Sequence, residues 1–403
     1  HKKWDDPRYL LIIGKGLDYN TFRTTNAQKL LADSIFFVPT YGAPGADQLL
    51  VMREKKMSDP LMAIGRLAVV APAEIRDYLN KVREHEQTYT SAPQTLEGKA
   101  WMKRVIHNSG GLAGEVGIIK NNTQEMADEI AQNRVGAEVY TYYKTSNDPI
   151  QLSSYEQMLD LLNGGVSLWM IYGHSSPNAV DFDIGSPAVY DNKGRYPLMM
   201  IMGCFSGLCS TPQKGIGEQF VLAPDRGAIA YIASVNFSFI DALKTFGLKY
   251  YERLGGADYG QSIGDILKHT VSDLNQSNYS ALVALLHQNL LQGDPAIKLH
   301  FYPGADYVID PQSVKFDPNP VSLEQPALKL DFDVVNIGEN TGGTLPLRID
   351  QRRPDDQVLN RRTDTITAPP FRQKQTYNLP TSGSQIGFNR FLISLDPQNT
   401  VAE

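Results

Sequence analysis

Up to about residue 300, short apolar runs alternate with stretches in which apolar residues recur at every third or fourth position. The runs Tyr9–Gly14, Ile35–Pro39, Met62–Leu67, Met102–His107, Glu138–Tyr143, Ser167–Tyr172, Pro197–Met202 and Ala228–Ala233 read as strands. Several are apolar throughout rather than alternating, the pattern of parallel strands covered on both faces. Between them, Ala73–His85 sets Ile75, Tyr78, Leu79 and Val82 at helical spacing, and Thr123–Asn133 opens on a Thr cap with Glu125 and Glu129 nearby. Tyr155–Leu162, Ile240–Leu254, Tyr259–Leu274 and Ala281–Leu291 fit further helices. Strand–helix alternation of this kind predicts an α/β domain with a largely parallel sheet.

The stretch Ser91–Gly98 breaks the pattern, so residues 1–95 and 96–303 are expected as two α/β subdomains side by side. After Asp294-Pro295 the character changes, and from Asp310 onward Pro, Asn, Thr and Gly replace the helical patterns. Alternating strands at Leu328–Val334, Thr344–Ile349, Thr376–Leu379 and Arg390–Leu395 predict an immunoglobulin-like β-sandwich over residues 304–403. Its last run stops close to Glu403, so a final strand is expected to be missing.

Composition narrows the function. A net charge of −6 gives no basic footprint, which argues against nucleic acid as a partner. No apolar run approaches the roughly 20 residues of a membrane span. The opening His1-Lys-Lys-Trp-Asp-Asp is neither an initiator Met nor a signal peptide, and reads as the start of a piece cut from a longer precursor. The two cysteines, Cys204 and Cys209, cannot build a disulfide framework. A bridge between them would close a very small loop, and a zinc site lacks partners, His174 being the nearest histidine.

Two strand ends carry the chemistry. Ser167–Tyr172 runs into Gly173-His174-Ser175-Ser176, and Pro197–Met202 runs into Gly203-Cys204-Phe205-Ser206-Gly207. Ligands in open α/β sheets sit at the carboxyl ends of strands. If the two strands are neighbours, His174 emerges beside Cys204 and takes its proton, which makes the nucleophilic thiolate. The backbone N–H groups of Ser175 and Cys204 then face the developing oxyanion. Read singly, a Cys at such a position is a small buried hydrophobe and a His a satisfied polar residue.

An ordered set of segments raises the reading. Tyr9–Gly14, Val38-Pro-Thr-Tyr-Gly42 through Asp47, Ala63-Ile-Gly-Arg-Leu67, Ala73-Glu-Ile75 with Tyr78–Val82, Tyr172-Gly-His174, Gly203-Cys204, Gly215-Ile-Gly-Glu218, Gly227–Ala230 and Gly293-Asp-Pro-Ala-Ile-Lys-Leu299 follow one another along the chain. In that order they resemble the gingipain family, cysteine peptidases with a caspase-like fold. The resemblance implies that Cys204 is the nucleophile, His174 its base, and Glu115, in a glycine-rich loop, the acid that orients the imidazole. His107, at the end of the preceding strand, is a rival for that place. Asn236, Phe237 and Ser238 fall where the family builds part of its primary specificity pocket. No acid stands out in that loop, so the gingipains' Arg or Lys preference is not carried over. Asp181 and Asp183 are further candidates to line the cleft.

One departure stands at Ser175, which replaces the second Gly of the family's usual Gly-His-Gly. The N–H is retained, but a left-handed φ there would strain a serine.

The resemblance implies protein or peptide substrates, no cofactor for catalysis, and a structural calcium for which Asp18, Asp47 and Asp306 are oxygen donors without a spaced ligand loop. It also implies a secreted or outer-membrane location with cell-surface or secretion-machinery partners, and a secretion-signal processing role as in some members. Two alternatives stay open at this stage: a peptidase-like scaffold that binds protein without turnover, and a disulfide or metal role for Cys204 and Cys209.

Overall fold

Eight strands form one sheet in the computed structural model, which describes residues 7–25, 34–53, 56–321, 324–384, 387 and 389–401. The opening His1–Asp6 lies outside the described residues. The strands of the first unit are β1 (Tyr9–Ile13), β2 (Met52–Arg53), β3 (Lys56–Pro60), β4 (Ala63–Leu67), β5 (Arg104–Ser109), β6 (Glu138–Tyr143), β7 (Leu168–Tyr172), β8 (Leu198–Met202), β9 (Ala230–Ser234) and β10 (Asn289–Gln292). Its main sheet has the order β1-β4-β10-β9-β8-β7-β5-β6, while β2 and β3 form a separate ribbon. β5, β7, β8 and β9 pair in parallel with one another, and β10 runs antiparallel to β9. Every residue of β7, β8 and β9 is buried, which explains their unbroken apolar sequences.

The helices are α1 (Tyr19–Thr25), α2 (Pro72–Ser91), α3 (Leu96–Lys99), α4 (Val116–Gln132), α5 (Tyr155–Gly164), α6 (Ile216–Leu222), α7 (Ile240–Leu254), α8 (Ile263–Leu274) and α9 (Ser280–Gln288). The core of this unit joins Tyr78 of α2, Met158 and Leu162 of α5 and Phe220 of α6 to Trp169, Ile171, Met199, Ile201 and Tyr231 of the sheet. The architecture is mixed α/β with a mainly parallel sheet, as the alternation predicts.

Three expectations need correction. Residues 1–95 are not a separate subdomain: β4 pairs with β10 through Gln292 and Arg66, and residues 1–92, 104–130 and 139–300 make one compact unit. Ile35–Pro39 is not a strand, because its carbonyls serve another purpose. Val38 and Pro39 accept hydrogen bonds from buried Arg66, at 3.1 and 3.2 Å, instead of a neighbouring strand. Ala281–Leu291 is not one helix, since α9 ends at Gln288 and the next four residues add a strand to the sheet.

The second unit comprises residues 93–103, 131–138 and 301–403. Its strands are β11 (Tyr307–Asp317), β12 (Ala327–Asn336), β13 (Thr344–Arg352), β14 (Val358–Thr367), β15 (Arg372–Pro380) and β16 (Arg390–Leu395). They form two three-stranded antiparallel sheets, β11-β12-β15 and β14-β13-β16. Leu330, Phe332 and Val334 from one sheet share a core with Leu345, Leu347 and Ile349 from the other. The sandwich is therefore present, with β11 and β14 added to the strands read from the sequence.

Candidate active site

The register of the sheet places the two reactive side chains. β7 and β8 are parallel neighbours, with Tyr172 opposite Met202. His174 and Cys204 each lie two residues past that pair, so both leave the carboxyl ends of the strands at the same level. On the other side of β7 stands β5, with Ser109 opposite Tyr172. The glycine-rich loop after β5 delivers Glu115, whose Oε2 accepts a hydrogen bond from His174 Nε2 at 2.8 Å. A carboxylate can only accept, so Nε2 carries a proton in this contact and Nδ1 faces away from Glu115.

Cys204, His174 and Glu115 line one cleft of about 90 Å³, together with Ile119, Tyr172, Gly173, Gly203, Ser238, Ile240 and Leu243. The Cys204 thiol is half-buried and free, and its sulfur receives the backbone N–H of Ser238 at 3.4 Å. Phe205 follows with φ 59°, in the left-handed region, so the chain turns sharply directly after the thiol. Such a residue costs on the order of 1–3 kcal/mol and persists where its surroundings hold it. Here the Phe205 N–H donates to the Asn236 carbonyl at 3.1 Å, and its ring packs edge-to-face on Phe237.

Ser175 does not have a left-handed φ, so the predicted strain is absent. Its hydroxyl instead donates to the Cys204 carbonyl at 2.8 Å and ties the two loops together. Gly203 is required by this approach: a Cβ there would lie 2.2 Å from Ser175 Oγ and 2.6 Å from the Gly173 carbonyl oxygen. Among the described residues, neither the Ser175 nor the Cys204 backbone N–H is drawn into a hydrogen bond.

Other candidates fall elsewhere. Of Asn236, Phe237 and Ser238, Ser238 alone lines the cleft; Asn236 contributes its carbonyl to Phe205, and Phe237 is exposed. His107 is fully buried against the Tyr251 hydroxyl at 2.9 Å, remote from the role of orienting His174. Cys209 is buried among apolar groups, and burial pushes its thiol up. Asp183 holds a turn through the Gly185 N–H. The carboxylates named for calcium are engaged by donors: Asp47 by Arg66 and Thr40, Asp18 by Thr21 and Ser210, Asp306 by Lys99. Among the described residues, no group of three or more His, Cys, Asp or Glu is arranged to hold a metal ion.

Asp181 does not line the cleft but lies buried behind it. Buried beside Lys144, it accepts the backbone N–H groups of His174 and Gly111, and so anchors the segments that carry the imidazole and its acid. Gly173 lets the carboxylate in: a Cβ there would sit 2.3 Å from Asp181 Oδ2. Sequence carried one signal for this pairing, a lysine immediately after the strand Glu138–Tyr143. Ile119, Ile240 and Leu243 went unnoticed because their helical spacing reads as ordinary core.

Comparison with known proteins settles the family. The sequence matches peptidase family C25 over residues 1–300. The chain belongs to peptidase family C25. This C25 member is accordingly a cysteine-type peptidase, acting on protein or peptide substrates. Its structure is similar to the Arg-specific cysteine proteinase gingipain R, at 13% identity and a TM-score of 0.55 over 95% of this chain and 79% of that one. It is similar also to the complex of Porphyromonas gingivalis RgpB pro- and mature domains, at 15% identity and 0.54 over 95% and 81%. A further protease structure gives 13% and 0.52 over 97% of both chains. These likenesses establish the gingipain-type, caspase-like fold. No curated protein matches the C25 chain.

Proposed function

We propose that this C25 peptidase is an endopeptidase that works through a Cys204 thioester. The observation that carries the reading is the shared level of Cys204 and His174 past the Met202–Tyr172 pair, with Glu115 holding the far nitrogen of the imidazole. His174 Nδ1 takes the thiol proton, and the thiolate adds to the scissile carbonyl. The N–H groups of Ser175 and Cys204 receive the negative oxygen. Collapse expels the amine, which leaves with the proton held by His174. Water then gives a proton to His174 and attacks the thioester, releasing the acid and returning the proton to the sulfur.

The test is hydrolysis of a broad peptide library by the intact chain and by Cys204→Ala. Turnover that disappears with the thiol supports the mechanism; equal turnover by the variant removes it. Rapid labelling of Cys204 over Cys209 by a peptidyl acyloxymethyl ketone, lost in His174→Ala, separates a working enzyme from a binding scaffold.

The narrower reading is a processing enzyme for secretion signals, acting outside the cell or at its surface with secretion-machinery partners. The additional β unit supports it, read as an immunoglobulin-like module. No described helix is long and apolar enough to cross a membrane. Cleavage of a protein fused to a secretion signal, at the signal boundary, tests this role.

A further inference from the structure

We infer that the cleft beside Cys204 selects an uncharged aliphatic side chain, of the size of Val or Leu, on the residue that contributes the attacked carbonyl. The inference rests on the peptidase reading and adds the substrate class. A side chain on that residue lies close to the sulfur, and the 90 Å³ cleft has Cys204 in its lining.

The walls decide what enters. Ile119 and Leu243 are buried apolar side chains, and Ile240 joins them at the start of α7. Tyr172 presents its ring, because its hydroxyl is already used: it donates to the Ile240 carbonyl at 2.6 Å and accepts from Asn122 Nδ2 at 3.2 Å. Ser238 is neutral. Glu115 is the one carboxylate in the lining, and it is occupied by His174. A lysine or arginine that took Glu115 would strip the imidazole of the group that orients it. Asp241, in the first turn of α7, is exposed and does not line the cleft. A buried cation therefore finds no free partner here, whereas apolar area is matched by apolar area. The rim continues the character: Phe237 and Phe239 flank Ser238 and are 69% and 59% exposed.

The experiment compares kcat/KM for fluorogenic peptides that differ only at the acyl-side residue: Val, Leu, Phe, Arg, Lys and Asp. Acyloxymethyl ketones bearing Leu or Lys at the same place report labelling of Cys204 by mass. Val and Leu are expected to exceed Arg and Lys by about a hundredfold, the scale on which a shaped pocket discriminates. Leu243→Asp should turn the preference toward Arg and Lys, and Asp241→Asn should leave it unchanged. If Leu243→Asp does not fold, Leu243→Ala serves, widening acceptance toward Phe. A preference for Arg or Lys, or indifference to this residue, overturns the inference while labelled Cys204 leaves the peptidase standing. Labelling by neither probe, with no cleavage, overturns both.

Discussion

The buried carboxylate of Asp181 receives the backbone N–H of His174 at 2.8 Å. The same oxygen receives Gly111 N–H at 2.7 Å, and the other oxygen takes Lys144 Nζ at 2.8 Å. Fixing two backbone amides onto one oxygen sets the imidazole and the Glu115 loop relative to each other before substrate arrives. Asp181→Ala leaves Lys144 buried without its counter-charge, which costs about 3–5 kcal/mol. Urea unfolding measures this loss. Asp181→Leu combined with Lys144→Met removes both charges and recovers most of the stability. Turnover in that double variant stays low, by about a hundredfold in kcat, because the two amides no longer share an acceptor. Full activity in a stable double variant would show that the anchor is structural alone.

Gly203 sits where the two reactive loops touch. Gly203→Ala places a methyl against Ser175 Oγ and against the Gly173 backbone carbonyl. The hydroxyl can rotate away, but the carbonyl cannot, so the loops must part. Since about 1 Å of misplacement costs on the order of a hundredfold, kcat/KM should fall by about that factor. Adding Ser175→Gly removes only one of the two clashes and should rescue little.

Glu115→Gln keeps the size of the side chain and removes the charge beside His174 Nε2. The amide can bond to the ring through its nitrogen and favour the wrong tautomer, with the proton on Nδ1. A buried orienting carboxylate of this kind contributes about 10⁴-fold. Glu115 is 37% exposed, so water shares the work and the expected loss in kcat is smaller, about ten- to a thousandfold. Steady-state kinetics on the best substrate of the peptide series gives the number.

Three buried histidines set the acid limit of the fold. Burial holds His85 and His107 down at about 3 and His300 at about 4, and Nδ1 of both His85 and His107 meets no partner. An unfolded chain binds these protons near pH 6.5, and the folded one refuses them. The contribution is therefore fully present above pH 6.5 and is lost as pH falls from 6.5 toward 3 for His85 and His107, and toward 4 for His300. Each histidine contributes up to about 1.4 kcal/mol per pH unit across that window. Thermal unfolding between pH 7 and 4 should show a falling Tm, and His107→Gln should flatten the slope.

Much of this was legible in the chain. The continuous apolar runs of β7 and β8 announce strands buried on both faces, and each ends in glycine followed by a reactive residue. Where one residue type meets two demands, the pattern misleads. Asn289–Gln292 continues the helical apolar spacing of α9, yet pairs with β9 because the sheet offers hydrogen bonds there. β11 contains Pro311 within a register shift between Asp310 and Lys315, which hides the strand from a period-two reading. β14 carries polar residues on most positions, since its burial is slight.

The amino-acid sequence by itself determined the class of fold and put His174 and Cys204 at two strand ends, because strand ends and small flanking residues are local features, whereas Glu115 came only from the family resemblance. Only the tertiary structure decided the anchor at Asp181, the tie from Ser175 to Cys204, and the apolar back wall of Ile119, Ile240 and Leu243. Those depend on which segments the sheet order brings together across many residues of chain. Burial and partner distance, which no spacing encodes, are what turn an ordinary acid or leucine into part of a site.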